Sequence, residues 1–187
     1  MRHGLCHVDQ SVMVFLDIQE KFIAVIEGNN AARVVNNASR LLQAARILDI
    51  PVLFTEQYSE RLGTTHPILQ EARPPSSQLI QKTCFSATDS EEFMSYLALT
   101  GRKQVVLCGM EAHVVVLQTA LSLQNAGYEV FVAEDTVCSR FEEYKTNGIR
   151  RLMAAGVQIT NRESILFEWM RNNTHPNFRE IVKNLIA

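Results

Sequence analysis

The stretch V-V-L-C-G-M-E-A-H-V-V-V-L-Q-T, from Val105 to Thr119, decides how this chain folds. Its first part is a continuous apolar run, which is typical of a strand covered on both faces of a sheet. At Gly109 the strand ends, and the residues after it open a helix. A backbone that turns in this way presents the residues of the turn at the edge of a sheet, where ligands of α/β proteins bind.

Strands and helices alternate along the rest of the chain. The sequence predicts strands at 12–16, 51–55, 79–81, 104–108, 129–133 and 157–160. It predicts helices at 31–48, 90–99, 114–124, 141–155, 164–170 and 178–185. This alternation indicates an α/β fold, a three-layer α/β/α sandwich with a mostly parallel sheet in the middle. The polar segment 56–77 has no sustained period and is predicted to be a long loop that covers a substrate site.

The composition indicates a globular protein, and 187 residues suit one domain spanning 1–187. The net charge of -2 gives no electrostatic footprint for nucleic acid, so we expect no nucleic-acid partner. Apolar stretches are far shorter than the roughly 20 residues that cross a bilayer, so we expect no membrane association. The first ten residues resemble neither a secretory nor a transit peptide, so we expect a cytoplasmic protein. The four cysteines are widely spaced and suggest neither disulfides nor a zinc site.

Two charged residues come at the carboxyl ends of predicted strands. Asp17 follows the first strand and Lys82 follows the third. A carboxylate and an amine beside a helix start can together activate a nucleophile and support developing negative charge. Each residue alone also has an ordinary explanation, because Asp often stabilises a turn after a strand and Lys is usually a solvated charge.

Several motifs, in chain order, resemble those of the isochorismatase-like cysteine hydrolases, in particular the branch of isochorismatase domain-containing proteins. They are V-F-L-D-I-Q-E-K-F at 14–22, T-E-Q-Y at 55–58, Q-K-T-C-F-S-A at 81–87 and G-M-E-A-H-V-V-V-L-Q-T at 109–119. The resemblance implies the isochorismatase-like hydrolase fold, with six parallel strands in the order 3-2-1-4-5-6. It also implies that Asp17 is the general acid or base, that Lys82 is its cationic partner, and that position 115 is the nucleophile.

Val115 stands where the pattern of this family has Cys. A valine has no lone pair and cannot form an acyl intermediate. The resemblance further implies a non-proline cis peptide at Glu111 and Ala112. Backbone N–H groups near Ala112 and Val115 are still able to form an oxyanion hole, because such donors do not depend on side chains. We expect the substrate pocket to be lined by residues from all four motifs, namely Phe22, Tyr58, Phe85, Glu111 and Ala112.

Neither a metal nor another cofactor is expected. Metal-using nicotinamidases of the superfamily carry an Asp and His cluster after the second strand, whereas this chain has only Glu56 and His66 there. A cysteine at another position is not favoured as the nucleophile either, because Cys84 belongs to the K-T-C-F-S motif that is usual in this branch. His113 also belongs to a motif that is usual in this branch, and we assign it no catalytic role.

The residues leave three functions open, and with them the question of whether the chain is an active enzyme. One is a pseudoenzyme that binds a small amide-like or carboxylate metabolite after losing its cysteine chemistry. Another is a hydrolase that needs no nucleophile and uses Asp17 as general acid, as true isochorismatases do when they cleave a vinyl ether. The third is a non-catalytic scaffold. A homo-oligomer is expected, because closed dimers and larger rings are common in this fold.

Overall fold

A computed structural model describes residues 4–26 and 30–186. Its strands are β1 Ser11–Leu16, β2 Val52–Gln57, β3 Gln78–Lys82, β4 Gln104–Met110, β5 Glu129–Cys138 and β6 Gln158–Thr160. They form one sheet in the order β3-β2-β1-β4-β5-β6, and every neighbouring pair is parallel. The predicted sheet order and α/β fold class are therefore confirmed.

Helices cover both faces of the sheet. They are α1 Glu20–Ile23, α2 Asn30–Ile47, α3 Ser59–Leu62, α4 Pro67–Ala72, α5 Glu91–Thr100, α6 Leu117–Asn125, α7 Glu142–Ala154, α8 Arg162–Met170 and α9 Phe178–Ile181. A π-helical turn, Ala112–Val116, joins β4 to α6, and a second one, Val182–Ile186, extends α9. No helix in the described part of the chain is long and apolar enough to cross a bilayer.

The two faces of the sheet bury separate apolar layers. Helices α2, α8 and α9 pack on one face, and α5, α6 and α7 pack on the other. Side chains alternate between the faces along each strand, so that Phe15 belongs to the first layer and Leu16 to the second. Phe15 stacks on Phe54 of the neighbouring strand with ring centroids 4.7 Å apart. Burial on both faces explains why the central strands read as continuous apolar runs.

The segment 56–77 differs from its prediction. It is not a structureless loop, because β2 continues to Gln57 and two short helices, α3 and α4, follow. Helix α4 begins with Pro67, which suits a first helical position because the missing N–H has no partner there. The side chain of His66 accepts a hydrogen bond from the Ile68 N–H at the same helix start. Helices this short bury too little apolar surface to show a period in the sequence.

Strand β5 is also longer than predicted. The polar pair Glu134 and Asp135 interrupts the apolar run, and the prediction therefore ended at Ala133. In the structure the strand continues to Cys138 after a shift in its register with β4. Such an irregularity lets a strand resume pairing after residues that do not fit the apolar alternation.

Gly109 lies where β4 approaches β1 most closely. Its φ is +140°, and a Cβ at this position would lie 2.2 Å from the carbonyl oxygen of Leu16. That oxygen belongs to the backbone, so it cannot move away without separating the two strands. The absence of a side chain at Gly109 thus keeps the turn after β4 directly beside the residue that follows Leu16, which is Asp17.

We expect Gly109→Ala to lower the free energy of unfolding by about 3 kcal/mol or more, because strain and overpacking act together. Urea denaturation measures this change. Gly101→Ala is the matched control, since Gly101 also has a positive φ but a Cβ there would have nothing within 4 Å. The control should lose only about 1 kcal/mol. Equal losses in the two variants would mean that the approach of β4 to β1 is not tight.

Candidate functional site

The Asp17 carboxylate and the Lys82 ammonium meet at the carboxyl edge of the sheet. Lys82 Nζ donates to Asp17 Oδ2 at 2.7 Å, and both side chains are almost completely buried. Asp17 follows β1 with a positive φ of 52°, and Lys82 is the last residue of β3. The contact therefore reaches across β2, which lies between these strands. The structure brings together two residues that are 65 positions apart in the chain.

Strand β2 supplies two further side chains to this pair. Thr55 Oγ1 donates to Asp17 Oδ1 at 2.5 Å, and Gln57 Oε1 accepts from Lys82 Nζ at 2.8 Å. Neither Thr55 nor Gln57 was predicted from the sequence to be a site residue. Their signal was the T-x-Q spacing at the end of the strand, because residues two apart project from the same face.

All three donors of the Lys82 ammonium are used. Besides Asp17 and Gln57, it donates to the carbonyl oxygen of Cys84 at 3.1 Å. The Gln57 amide is itself fixed, because its Nε2 donates to the carbonyl oxygen of Thr83 at 2.7 Å and thereby turns its Oε1 toward Lys82. The ammonium is thus held in one orientation before any ligand arrives.

The same network fixes the electrostatics of Asp17. Burial is the largest influence on the pKa of Asp17 and raises it above its usual range, while Lys82 and then Thr55 act in the opposite direction. A carboxyl group whose pKa is raised keeps its proton to a higher pH than an exposed one and is therefore better suited to act as a general acid. The pair can therefore serve as an acid, as a base, or as a charged contact for a polar ligand.

Val115 lies in the π-helical turn between β4 and α6. Val115 is only 3% exposed, and it packs in the apolar layer that also contains Leu16. The pairing of Leu16 with Gly109 brings the start of this turn next to Asp17. The side chain at position 115 is a hydrocarbon, and it offers no atom that can attack a carbonyl.

The cis peptide bond lies one residue earlier than the resemblance implied. It joins Met110 to Glu111, not Glu111 to Ala112. The Glu111 carboxylate accepts three hydrogen bonds from Arg140, from the backbone N at 3.0 Å, from Nε at 3.1 Å and from Nη2 at 3.0 Å. Burial acts to raise the pKa of Glu111, but these bonds outweigh it and lower the pKa. The Glu111 carboxylate is therefore already hydrogen-bonded to Arg140. Ala112 is fully buried.

The three aromatic residues expected in the pocket have different surroundings in the structure. Tyr58 lines a cleft of about 450 Å³ together with the segment 81–84, which includes Lys82. Phe85 is 57% exposed and is not part of the lining of that cleft. Phe22 is half-buried and packs against the apolar layer under α2. Of the three, Tyr58 is the one that faces the cleft beside Lys82.

The remaining thiols differ in their accessibility. Burial raises the pKa of Cys138 to about 12 and raises that of Cys108 as well, so both thiols stay protonated near neutral pH and are poor nucleophiles. Cys84 is half-buried and lines the cleft.

Glu56 and His66, the acidic and imidazole groups after β2, are engaged separately. Glu56 Oε1 accepts from the N–H and the hydroxyl of Thr65 at 2.7 and 2.9 Å, whereas His66 stabilises the start of α4. Within residues 4–26 and 30–186, no three His, Cys, Asp or Glu side chains converge as a metal site would require. Glu56 therefore acts in this structure as an anchor for the segment between α3 and α4.

Known structures share this fold along almost the whole chain. The structure described as the MAR1 ribonuclease from Caenorhabditis elegans superposes with a TM-score of 0.92 at 32% identity, covering 98% of this chain and 93% of that one. The YcaC protein from Escherichia coli, described as an octameric hydrolase of unknown specificity, superposes with a TM-score of 0.91 and covers 100% of this chain and 93% of its own. At 22% identity, the YcaC match shows the fold alone.

Comparison with known sequences gives more specific information than the shared fold. The Isochorismatase domain model matches residues 11–164, which include the ends of β1 and β3 and the turn after β4. Isochorismatase domain-containing protein 2 from Danio rerio is 39% identical over 176 residues, which cover 94% of this chain and 86% of the relative. The chain therefore belongs to the isochorismatase domain family.

Proposed function

We propose that this chain binds a small amide-like or carboxylate metabolite at the Asp17–Lys82 pair and has lost covalent cysteine catalysis at position 115. One observation carries the proposal: the polar network around Asp17 and Lys82 is complete, while the turn beside it holds Val115. The network provides the Asp17 carboxyl group and the Lys82 ammonium, and a cleft lies beside Lys82. Position 115 on the turn offers no nucleophile.

The buried pair supports a role in ligand binding. A buried ion pair contributes little net stability, because the cost of removing both charges from water offsets their attraction. Stability alone therefore does not account for Asp17 and Lys82 at an edge of the sheet where ligands of α/β proteins bind. Ionisable groups with perturbed pKa values beside a cleft are characteristic of functional sites.

Acid catalysis without a nucleophile is the second candidate, and the raised pKa of Asp17 favours it. Cleavage of an enol ether begins when an acid protonates the vinyl carbon, and water then adds to the resulting cation. Asp17 would supply the proton and Lys82 would steady the carboxylate that remains. Turnover of isochorismate by the unmodified protein would establish this candidate over the first.

RNA hydrolysis is not part of the proposal, although one structural relative is described as a ribonuclease. The net charge of -2 provides no basic surface for the phosphate backbone, which dominates the affinity of nucleic-acid binding. Incubation of the protein with an RNA oligonucleotide checks this exclusion directly, and cleavage of the RNA would contradict it.

Val115→Cys should make position 115 reactive. We expect a thiol probe to label it, and we expect amides or hydroxamates to be hydrolysed, because the new thiol can pass its proton to Asp17. Adding Asp17→Asn should reduce this hydrolysis at least about 100-fold. Val114→Cys, on the same turn, is the matched control and should gain no hydrolysis. If Val115→Cys is neither labelled nor active, position 115 is not the nucleophile position.

Lys82→Met should lower the free energy of unfolding by roughly 3–5 kcal/mol, because it leaves Asp17 buried without its partner. The double variant Asp17→Asn with Lys82→Met should lose much less than the sum of the single losses, since both charges are then gone. Urea denaturation of the four proteins in this cycle measures the coupling. Lys183→Met is the control for an exposed lysine and should change stability by less than about 0.5 kcal/mol. Additive losses would contradict a direct interaction.

We also propose that the chain forms a homo-oligomer. Large apolar side chains such as Phe141 and Tyr144 are partly exposed at the carboxyl edge, where a second copy would cover them. Sedimentation equilibrium should give a mass that is a multiple of the chain mass. In that case Tyr144→Glu should shift the distribution toward the monomer, because it places a charge on the apolar patch. A monomer at all concentrations would refute this proposal.

A further inference from the structure

Lys145, on α7, is a buried cation that has no counterion within residues 4–26 and 30–186. The residue is 6% exposed, and its ammonium forms no hydrogen bond or ion pair with the described residues. The buried charges Asp17, Lys82 and Glu111 are different, because each of them has partners. Among the described residues, Arg162 Nε is the side-chain nitrogen that is both fully enclosed and without a partner. Lys145 Nζ also lacks a partner but is not fully enclosed, so it keeps some contact with solvent. The aliphatic stem is therefore buried while the charge opens toward a ligand or water.

Helix α7 brings Lys145 close to the turn that carries Val115. The buried face of this helix consists of Lys145, Gly148, Ile149 and Leu152. At Gly148 a Cβ would lie 3.0 Å from the Cα of His113, so the helix touches the turn directly. Lys145 is one helical turn nearer the start of α7, and α7 starts at the carboxyl edge because it follows β5.

The charge of Lys145 lies near the carboxyl end of β5. The charge of Lys145 acts on the Cys138 thiol, where it opposes the rise in pKa that burial causes. Cys138 pairs in register with Met110, the last residue of β4. Asp17 lies at the end of β1, two strands away from β5. Since neighbouring strands are about 4.8 Å apart, roughly 10 Å separates the two ends of this edge.

We propose that Lys145 is a binding residue for an anionic group of the ligand, a carboxylate at the opposite end from the group that contacts Asp17 and Lys82. This inference rests on the proposed function. A carboxylate would provide the counterion that the buried ammonium lacks among the described residues, through a charge-assisted hydrogen bond. The spacing of roughly 10 Å between these strand ends limits the ligand to a short carbon chain. The ligand class is thus a short-chain carboxylic acid with an amide or carbonyl at its other end.

Two probes of equal length separate the anionic contact from the rest of the site. Succinamate has an amide and a carboxylate, whereas succinamide has two amides and no charge. We expect isothermal titration calorimetry to show that the unmodified protein binds succinamate about tenfold more tightly. Lys145→Met should abolish this preference and leave the affinity for succinamide unchanged. Arg150→Met removes an exposed charge from the same helix and should leave both affinities unchanged.

The proposal is overturned if the unmodified protein does not distinguish the two probes, or if Lys145→Met keeps the preference. Asp17→Asn separates this result from the proposed function, because it should weaken both probes alike. If Asp17→Asn changes neither affinity while Lys145→Met abolishes the preference, the anion site stands and the proposed function fails. If Lys145→Met does not fold, a crystal structure of the unmodified chain with succinamate decides: a carboxylate beside Nζ supports the proposal, and any other position refutes it.

Discussion

The close approach of β4 to β1 at Gly109 is the constraint on which the site depends. Gly109 has no Cβ that would collide with the Leu16 carbonyl, so the two strands stay paired up to their carboxyl ends. Asp17 and the turn after β4 are consequently neighbours, although 92 positions separate Asp17 from Gly109. A wider gap would leave room for water between the acid and the turn, and the desolvation that raises the pKa of Asp17 would be lost.

The polar network shows how a buried site can be rigid before a ligand binds. Lys82 uses its three donors on Asp17, Gln57 and a carbonyl oxygen, so all of them are satisfied in the apolar surroundings. Each of these contacts joins a different segment of the chain. Geometry of this kind needs little reorganisation when a ligand arrives, and preorganised polar groups are the ones that bind and polarise ligands effectively.

Two lysines at the same edge thus have opposite character. Lys82 is fully engaged by the protein, and its charge is balanced by Asp17. Lys145 lacks such a partner among the described residues, and its charge acts on the Cys138 thiol together with those of Glu111 and Glu142. An engaged cation orients an acid, whereas an unengaged one attracts an anion. The difference is in the partners of each residue and not in the residue type.

The sequence by itself determined the alternation of strands and helices, because apolar runs and helical spacing are local patterns. The motifs added the strand order and placed Asp17, Lys82 and position 115 at one edge. The tertiary structure decided the partners: Thr55 on Asp17, Gln57 on Lys82 and Arg140 on Glu111. These contacts join residues 25 to 38 positions apart, and the lack of a partner for Lys145 among the described residues is equally a property of the packed molecule. Local patterns do not encode such pairings, since they depend on which strand ends and helix faces meet after folding.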